Sequence, residues 1–191
     1  MMKHLPLLLI LLVPCLAPAG ELEDLLSGSP TLPFAAEFDC VNAFDLFASF
    51  ASLHCVASAG PPNAGDAERI DRALRKLRHH GLVTAEEAAE TRVRICPLMN
   101  GTGLVPAPGR ILLDDGLRNM GDELFTEILA HEFVHVRQFE KLGTAEFKCA
   151  YVREMSRCGG CQDDGHPLEK EAYDLQERVR ALLARIAEEG G

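Results

Sequence analysis

Leu129-Ala130-His131-Glu132-Phe133-Val134-His135-Val136-Arg137-Gln138 sets two imidazoles four positions apart, with a carboxylate directly after the first. On an α-helix, positions i and i+4 lie one above the other, so both rings can aim a nitrogen at one point, about 2.0–2.1 Å from a shared zinc ion. Glu132 is turned roughly 100° from His131, which puts it beside such an ion as a candidate general base, where it would take a proton from water. The flanks support a helix: Leu124, Ile128, His131, His135 and Leu142 recur at helical spacing, and neither Pro nor Gly interrupts residues 123–142. A pair of core histidines is the structural alternative, but buried imidazoles without partners are costly.

A catalytic zinc takes three protein ligands and keeps a fourth position open, so a further ligand must come from outside this helix. The sequence beginning at His166-Pro167-Leu168 predicts a long last helix over 169–188, with Ala172, Leu175, Val179, Leu182 and Leu183 as its apolar stripe. Its first turn offers Glu169 and Glu171. These are about 200° apart around the axis, so only one of them can face the ion. Between the two, Leu142-Gly143-Thr144 reads as a turn and residues 144–157 as another helix, with Phe147, Tyr151 and Met155 on one side.

Ahead of the histidine helix the pattern changes twice. Residues 38–59 are rich in Ala, Phe and Leu and read as a buried helix ended by Gly60-Pro61-Pro62; its phenylalanines and His54 are expected to be packing residues. Asp66 to His80 is amphipathic, with Ile70, Ala73, Leu74 and Leu77 inward and Gly81 as its stop, and Thr84-x-x-Glu87 is a capping box for a short helix. Then Arg92-Val93-Arg94-Ile95-Cys96 and Arg110-Ile111-Leu112-Leu113-Asp114 read as short strands, with a loop or hairpin end over 100–109. The second strand immediately precedes the histidine helix, and an edge strand there could align an extended peptide by main-chain hydrogen bonds. The expected fold is therefore α+β, mainly helical, with a small sheet or hairpin before the histidine helix.

Residues 1–19 have the form of a signal peptide: Lys3 and His4, an apolar run from Leu5 to Val13, then Ala17-Pro18-Ala19 before Gly20. Cys15 follows Pro14 where a lipid attachment site calls for a small residue, so export to the periplasm or outside the cell is expected, without a lipid anchor. Cleavage leaves 172 of the 191 residues, enough for a single domain over 20–191. It also removes Lys3, leaving 18 basic against 29 acidic side chains, a balance that argues against nucleic acid or an anionic membrane as partner. Six cysteines remain of the seven: Cys40, Cys55, Cys96, Cys149, Cys158 and Cys161. In an exported protein they predict three disulfides; neighbour pairing would join Cys40 to Cys55 and make two bridges among the other four. The rival is a structural zinc on Cys149, Cys158, Cys161 and His166.

The chain resembles the gluzincin metallopeptidases, in which His-Glu-x-x-His is completed by a Glu on a downstream helix, often as Glu-x-x-Ala; Glu169-x-x-Ala172-Tyr173 matches that form. More narrowly, the quoted stretch, Leu142-Gly143 and Pro167-Leu168-Glu169-Lys170-Glu171-Ala172-Tyr173 are similar to the zincin-like family named for the core domain of extracellular contractile injection systems, over residues 92–176. The resemblance implies a zincin-like minimal domain, ligands His131, His135 and Glu169, Zn2+ as cofactor, and Glu132 as base. It implies a secreted zinc metallopeptidase acting on a peptide or protein substrate. Such a mechanism also needs a group to stabilise the oxyanion, for which Tyr151, Tyr173, Arg137 and His166 are candidates, and Tyr173, one turn after Glu169, could instead brace that ligand. The alternative function is a non-catalytic binding or structural module stabilised by zinc. A redox role for Cys158-Gly-Gly-Cys161 is a third expectation, without the βαβ pattern that would support it.

Overall fold

In the computed structural model the described residues are 40–53, 55, 63–99, 102–157, 159–160 and 165–189. They form six α-helices, α1 (Cys40–Ala51), α2 (Ala64–His79), α3 (Ala85–Glu90), α4 (Asp122–Leu142), α5 (Thr144–Arg157) and α6 (Pro167–Glu189), and three strands, β1 (Arg92–Cys96), β2 (Gly103–Ala107) and β3 (Arg110–Asp114). The fold is α+β and mainly helical, as the sequence predicts. The expected signal peptide, the lead-in to residue 39, His54, the Gly60-Pro61-Pro62 stop, Cys158 and Cys161 lie outside the described residues.

The organising element is α4. Its residues from Phe125 to Val136 are all buried, and so are Gln138 and Phe139, because α2, α5, α6, β2 and β3 all pack on it. A helix enclosed on every side needs apolar or internally partnered residues around its whole circumference, which a single-stripe reading understates. Asp122 and Glu123 in the first turn suit the positive end of the helix dipole, and Asp122 also meets Arg69 and Arg72 of α2. At the other end Gly143 takes φ +81°, a left-handed conformation that costs a residue with a side chain more, and the chain turns straight into α5.

The sheet has the order β1-β3-β2, with β1 and β3 parallel and β2 antiparallel to β3. The stretch expected to be loop thus contains a strand. Pro106 does not prevent this, because β2 is an edge strand and an edge residue need not donate on both sides. Pro108-Gly109 makes the two-residue turn between β2 and β3, and Gly109 has the positive φ, +64°, that the second position requires. The strand before the histidine helix, β3, is correspondingly central. The edge strand beside α4 is β2.

The capping box on α3 forms as expected: Thr84 Oγ1 accepts from the Glu87 backbone N–H and the Glu87 carboxylate accepts from that of Thr84. α1 departs from a fully buried helix. Phe44, Ala48 and Ala51 face inward, whereas Leu46 and Phe50, and Leu53 just beyond the helix end, are exposed. The inward face inserts Phe44 among Phe139, Phe147 and Tyr151, with edge-to-face ring contacts at centroid distances of 5.7–6.2 Å.

Both ends of this segment are covalently held. Cys40 is bonded to Cys149 of α5 and Cys55 to Cys96 of β1, so the Cys40–Cys55 pairing is replaced by two long-range bridges. Proximity in sequence misleads here because α1 packs on α5 and β2, and each cysteine comes to lie beside a partner 109 or 41 positions away. Cys149 is consumed by its disulfide and cannot serve a structural zinc. Two disulfides fit an oxidising environment, and no described helix is long and apolar enough to cross a membrane.

Candidate metal centre

His131 and His135 stand one turn apart on α4, and Glu169 enters from the first turn of α6. His131 Nε2 lies 3.1 Å from Glu169 Oε2 and 3.3 Å from His135 Nε2, while His135 Nε2 is 3.6 Å from the same carboxylate oxygen. The ligand atoms all lie within 4.8 Å of one another, and all three residues are buried. Glu171 points elsewhere, accepting from Gln138. Of the two candidate carboxylates, the structure brings Glu169 to the histidines.

Three lone-pair donors converging in a buried space demand a positive charge between them, either shared protons or a cation. Their protonation behaviour shows how strong that demand is. Burial alone would push the His135 imidazolium down, but the hydrogen bond with Glu169, the charges of Glu132 and Glu169 and the contact with Gln138 raise it to about 9. Burial likewise pushes the Glu169 carboxyl up, and hydrogen bonds with His131, His135 and Tyr151 overcome it and hold the group well below the usual carboxylate range. The two imidazoles and one carboxylate have the ligand chemistry and count of a metal site.

Glu132 is buried beside this group, and no side-chain hydrogen bond to it is formed among the described residues. Burial raises its pKa; the charges of His135 and His131 oppose that, and Glu169 adds to it. Its position is set by close packing under β2. A Cβ at Gly103 would stand 2.8 Å from Glu132 Cγ and nearer still to the carboxylate, so only glycine leaves room there.

The cavity around these groups has a volume of about 100 Å³. Its walls are β2 and the residue before it, Thr102 to Val105, on one side, and Phe47 and Ala51 of α1 on the other. Tyr151 is within it and donates its hydroxyl to Glu169 Oε1 at 2.6 Å, holding the oxygen that does not face the histidines. Tyr173 also lines the cavity and meets the His131 ring edge-on at 4.7 Å. Of the four residues considered for oxyanion stabilisation, these two reach the site. Arg137 does not: it binds the Glu87 carboxylate and the Leu82 carbonyl on the far side of α4. Nor does His166, fully buried, whose Nε2–H donates to the Tyr151 carbonyl at 3.0 Å.

Comparison with models of protein families, with curated proteins and with solved structures finds no match. Sequence reasoning missed Gly103 and gave Gln138 no role. The available signal for the first was Gly103 opening the short run Leu104-Val105 that leads into the Pro108-Gly109 turn.

Proposed function

We propose that the protein is an exported zinc-dependent hydrolase of the metallopeptidase type, related in its site to the zincin-like proteins that its sequence resembles. The observation that carries the reading is the convergence of His131, His135 and Glu169 from two distant helices, with Glu132 buried beside them and an edge strand forming the cavity wall. Two nitrogen ligands and one oxygen ligand suit Zn2+ and leave a coordination position for water.

When bound, the ion supplies Lewis-acid polarisation of a carbonyl and acidifies water. The chain does the rest. Glu132 accepts a proton as the water oxygen attacks the peptide carbonyl carbon, and returns that proton to the departing amide nitrogen as the C–N bond breaks. Its carboxylate lines the same cavity as the ligands, within reach of both steps. Tyr151 keeps Glu169 turned toward the histidines through its hydroxyl. The edge of β2 away from β3, which pairs with no other strand among the described residues, is offered to an extended substrate and aligns the scissile bond along Thr102 to Val105.

Glu132→Gln tests this directly: metal content should equal that of the wild type, and cleavage of a broad peptide library should fall by about 10²–10⁴-fold, as expected for loss of a general base. Equal cleavage by the two proteins would refute the role of Glu132. The depth of the centre favours a second reading, in which the ion only ties α4 to α6. That reading predicts no cleavage by the wild type, together with a marked fall in unfolding temperature on chelation.

A further inference from the structure

One side chain reaches both helices that supply ligands. Gln138 lies three residues after His135 on α4 and is 3% exposed. Its amide nitrogen is 3.0 Å from the Leu168 carbonyl and 2.9 Å from Glu171 Oε2, and both of those atoms can only accept. The amide NH2 therefore donates to both, which leaves the Gln138 oxygen facing His135 Nδ1 at 2.9 Å. Since that oxygen can only accept, Nδ1 carries the hydrogen. The lone pair of the neutral ring is then on Nε2, the nitrogen that faces His131 and Glu169.

We infer that Gln138, held in turn by Glu171, is the positioning residue of the centre: it sets the tautomer of His135 and pins the start of α6 so that Glu169 meets both rings. The inference rests on the metal reading above. It explains why a second glutamate follows Glu169 at a position that cannot face the ion. Leu168 directly precedes Glu169, so the bond to its carbonyl pegs the backbone that carries the ligand carboxylate. His131 is held by other means, since its Nδ1 has no hydrogen-bond partner among the described residues and its ring lies against Tyr173. The two histidines are thus oriented differently, one by packing and one through this polar bridge, and only the second depends on Gln138.

Titration of the purified chain with Zn2+ against a competing chelator provides the test. Gln138→Leu should bind Zn2+ about 10–100-fold more weakly than the wild type, the usual effect of losing an outer hydrogen bond to a ligand. Glu171→Leu should also weaken binding, whereas Glu171→Gln, whose side-chain carbonyl still accepts from Gln138, should stay close to the wild type. This pair carries the comparison if Gln138→Leu does not fold. In ¹⁵N spectra of the zinc-loaded wild type, the His135 ring should carry its proton on Nδ1. Gln138→Leu binding Zn2+ as tightly as the wild type would overturn the proposal, and so would equal affinities for Glu171→Leu and Glu171→Gln. A wild type that takes up no Zn2+ would instead sink the metal reading. In that event the bridge is judged in the metal-free protein: the Gln138 side-chain amide protons are protected from exchange if they donate as described, and free exchange refutes the bridge.

Discussion

Replacing Gly103 by alanine places one methyl group where the Glu132 carboxylate now sits. The added carbon would stand 2.5 Å from Glu132 Cδ, whereas ordinary carbon contacts are about 3.5 Å, so the carboxylate must retreat by about 1 Å. It has little room to do so, being buried between a strand fixed by β3 and a helix enclosed on all sides. Overpacking of this kind costs about 1–3 kcal/mol, which for a domain of this size lowers the unfolding temperature by about 2–12 °C. A double-mutant cycle isolates the cause. In a Glu132→Ala background the obstructing atoms are gone, and Gly103→Ala should cost at least about 1 kcal/mol less than in the wild type. Thermal and denaturant unfolding of the four proteins measures this without any substrate. Equal costs in the two backgrounds would refute the claim that β2 positions Glu132 by direct contact. Where cleavage can be followed, a displacement of about 1 Å should also lower the rate about 10²-fold.

Other consequences follow from the rest of the molecule. Glu87 titrates at about 2 instead of 4.5, first because of its hydrogen bond with Arg137, against the opposing effect of burial. A depressed folded-state pKa means this stabilisation is complete above pH 4.5 and is lost as the pH falls toward 2. The shift corresponds to about 3 kcal/mol at most, and solvent access to Arg137 reduces it to about 1–2 kcal/mol. Glu87→Gln should therefore flatten the stability profile from denaturant unfolding between pH 6 and pH 3, and an unchanged slope would contradict the pairing. Removing the bridges as Cys40→Ser with Cys149→Ser, or Cys55→Ser with Cys96→Ser, should cost about 5 and about 4 kcal/mol respectively on loop length alone, measured by denaturant unfolding. Because α1 forms one wall of the cavity, either loss should also speed metal release to a chelator. Release at the wild-type rate would show that the wall does not guard the centre.

The histidine helix was legible because its two ligands, its apolar flanks and its freedom from Pro and Gly all specify one local conformation. So were the Thr84–Glu87 cap and the stripes of α2 and α6, which depend on residues within a few turns of one another. β2 was hidden because Gly103 and Pro106 look like loop residues when considered alone; only pairing with β3 across the Pro108-Gly109 turn makes the strand worthwhile. The disulfide partners of Cys40 and Cys55 were not legible, since they depend on α1 packing on α5 and β2 and on Cys55, beyond its end, meeting the last residue of β1, a packing choice with no local signature. Glu169 could be distinguished from Glu171 by resemblance, but the reason for Glu171 emerges only when Gln138 is seen between two helices. Arg137, five residues after the base on the same helix yet held by the Glu87 carboxylate and the Leu82 carbonyl, shows the limit of reading function from a charged residue near a motif.

Metal content of the purified wild type, set beside that of Glu169→Ala, tests the central claim most directly. Purified without chelators, the wild type should carry stoichiometric zinc and Glu169→Ala little or none, with both proteins folded by circular dichroism. A wild type devoid of zinc, or a Glu169→Ala protein that retains it in full, would contradict the assignment of His131, His135 and Glu169 as one centre.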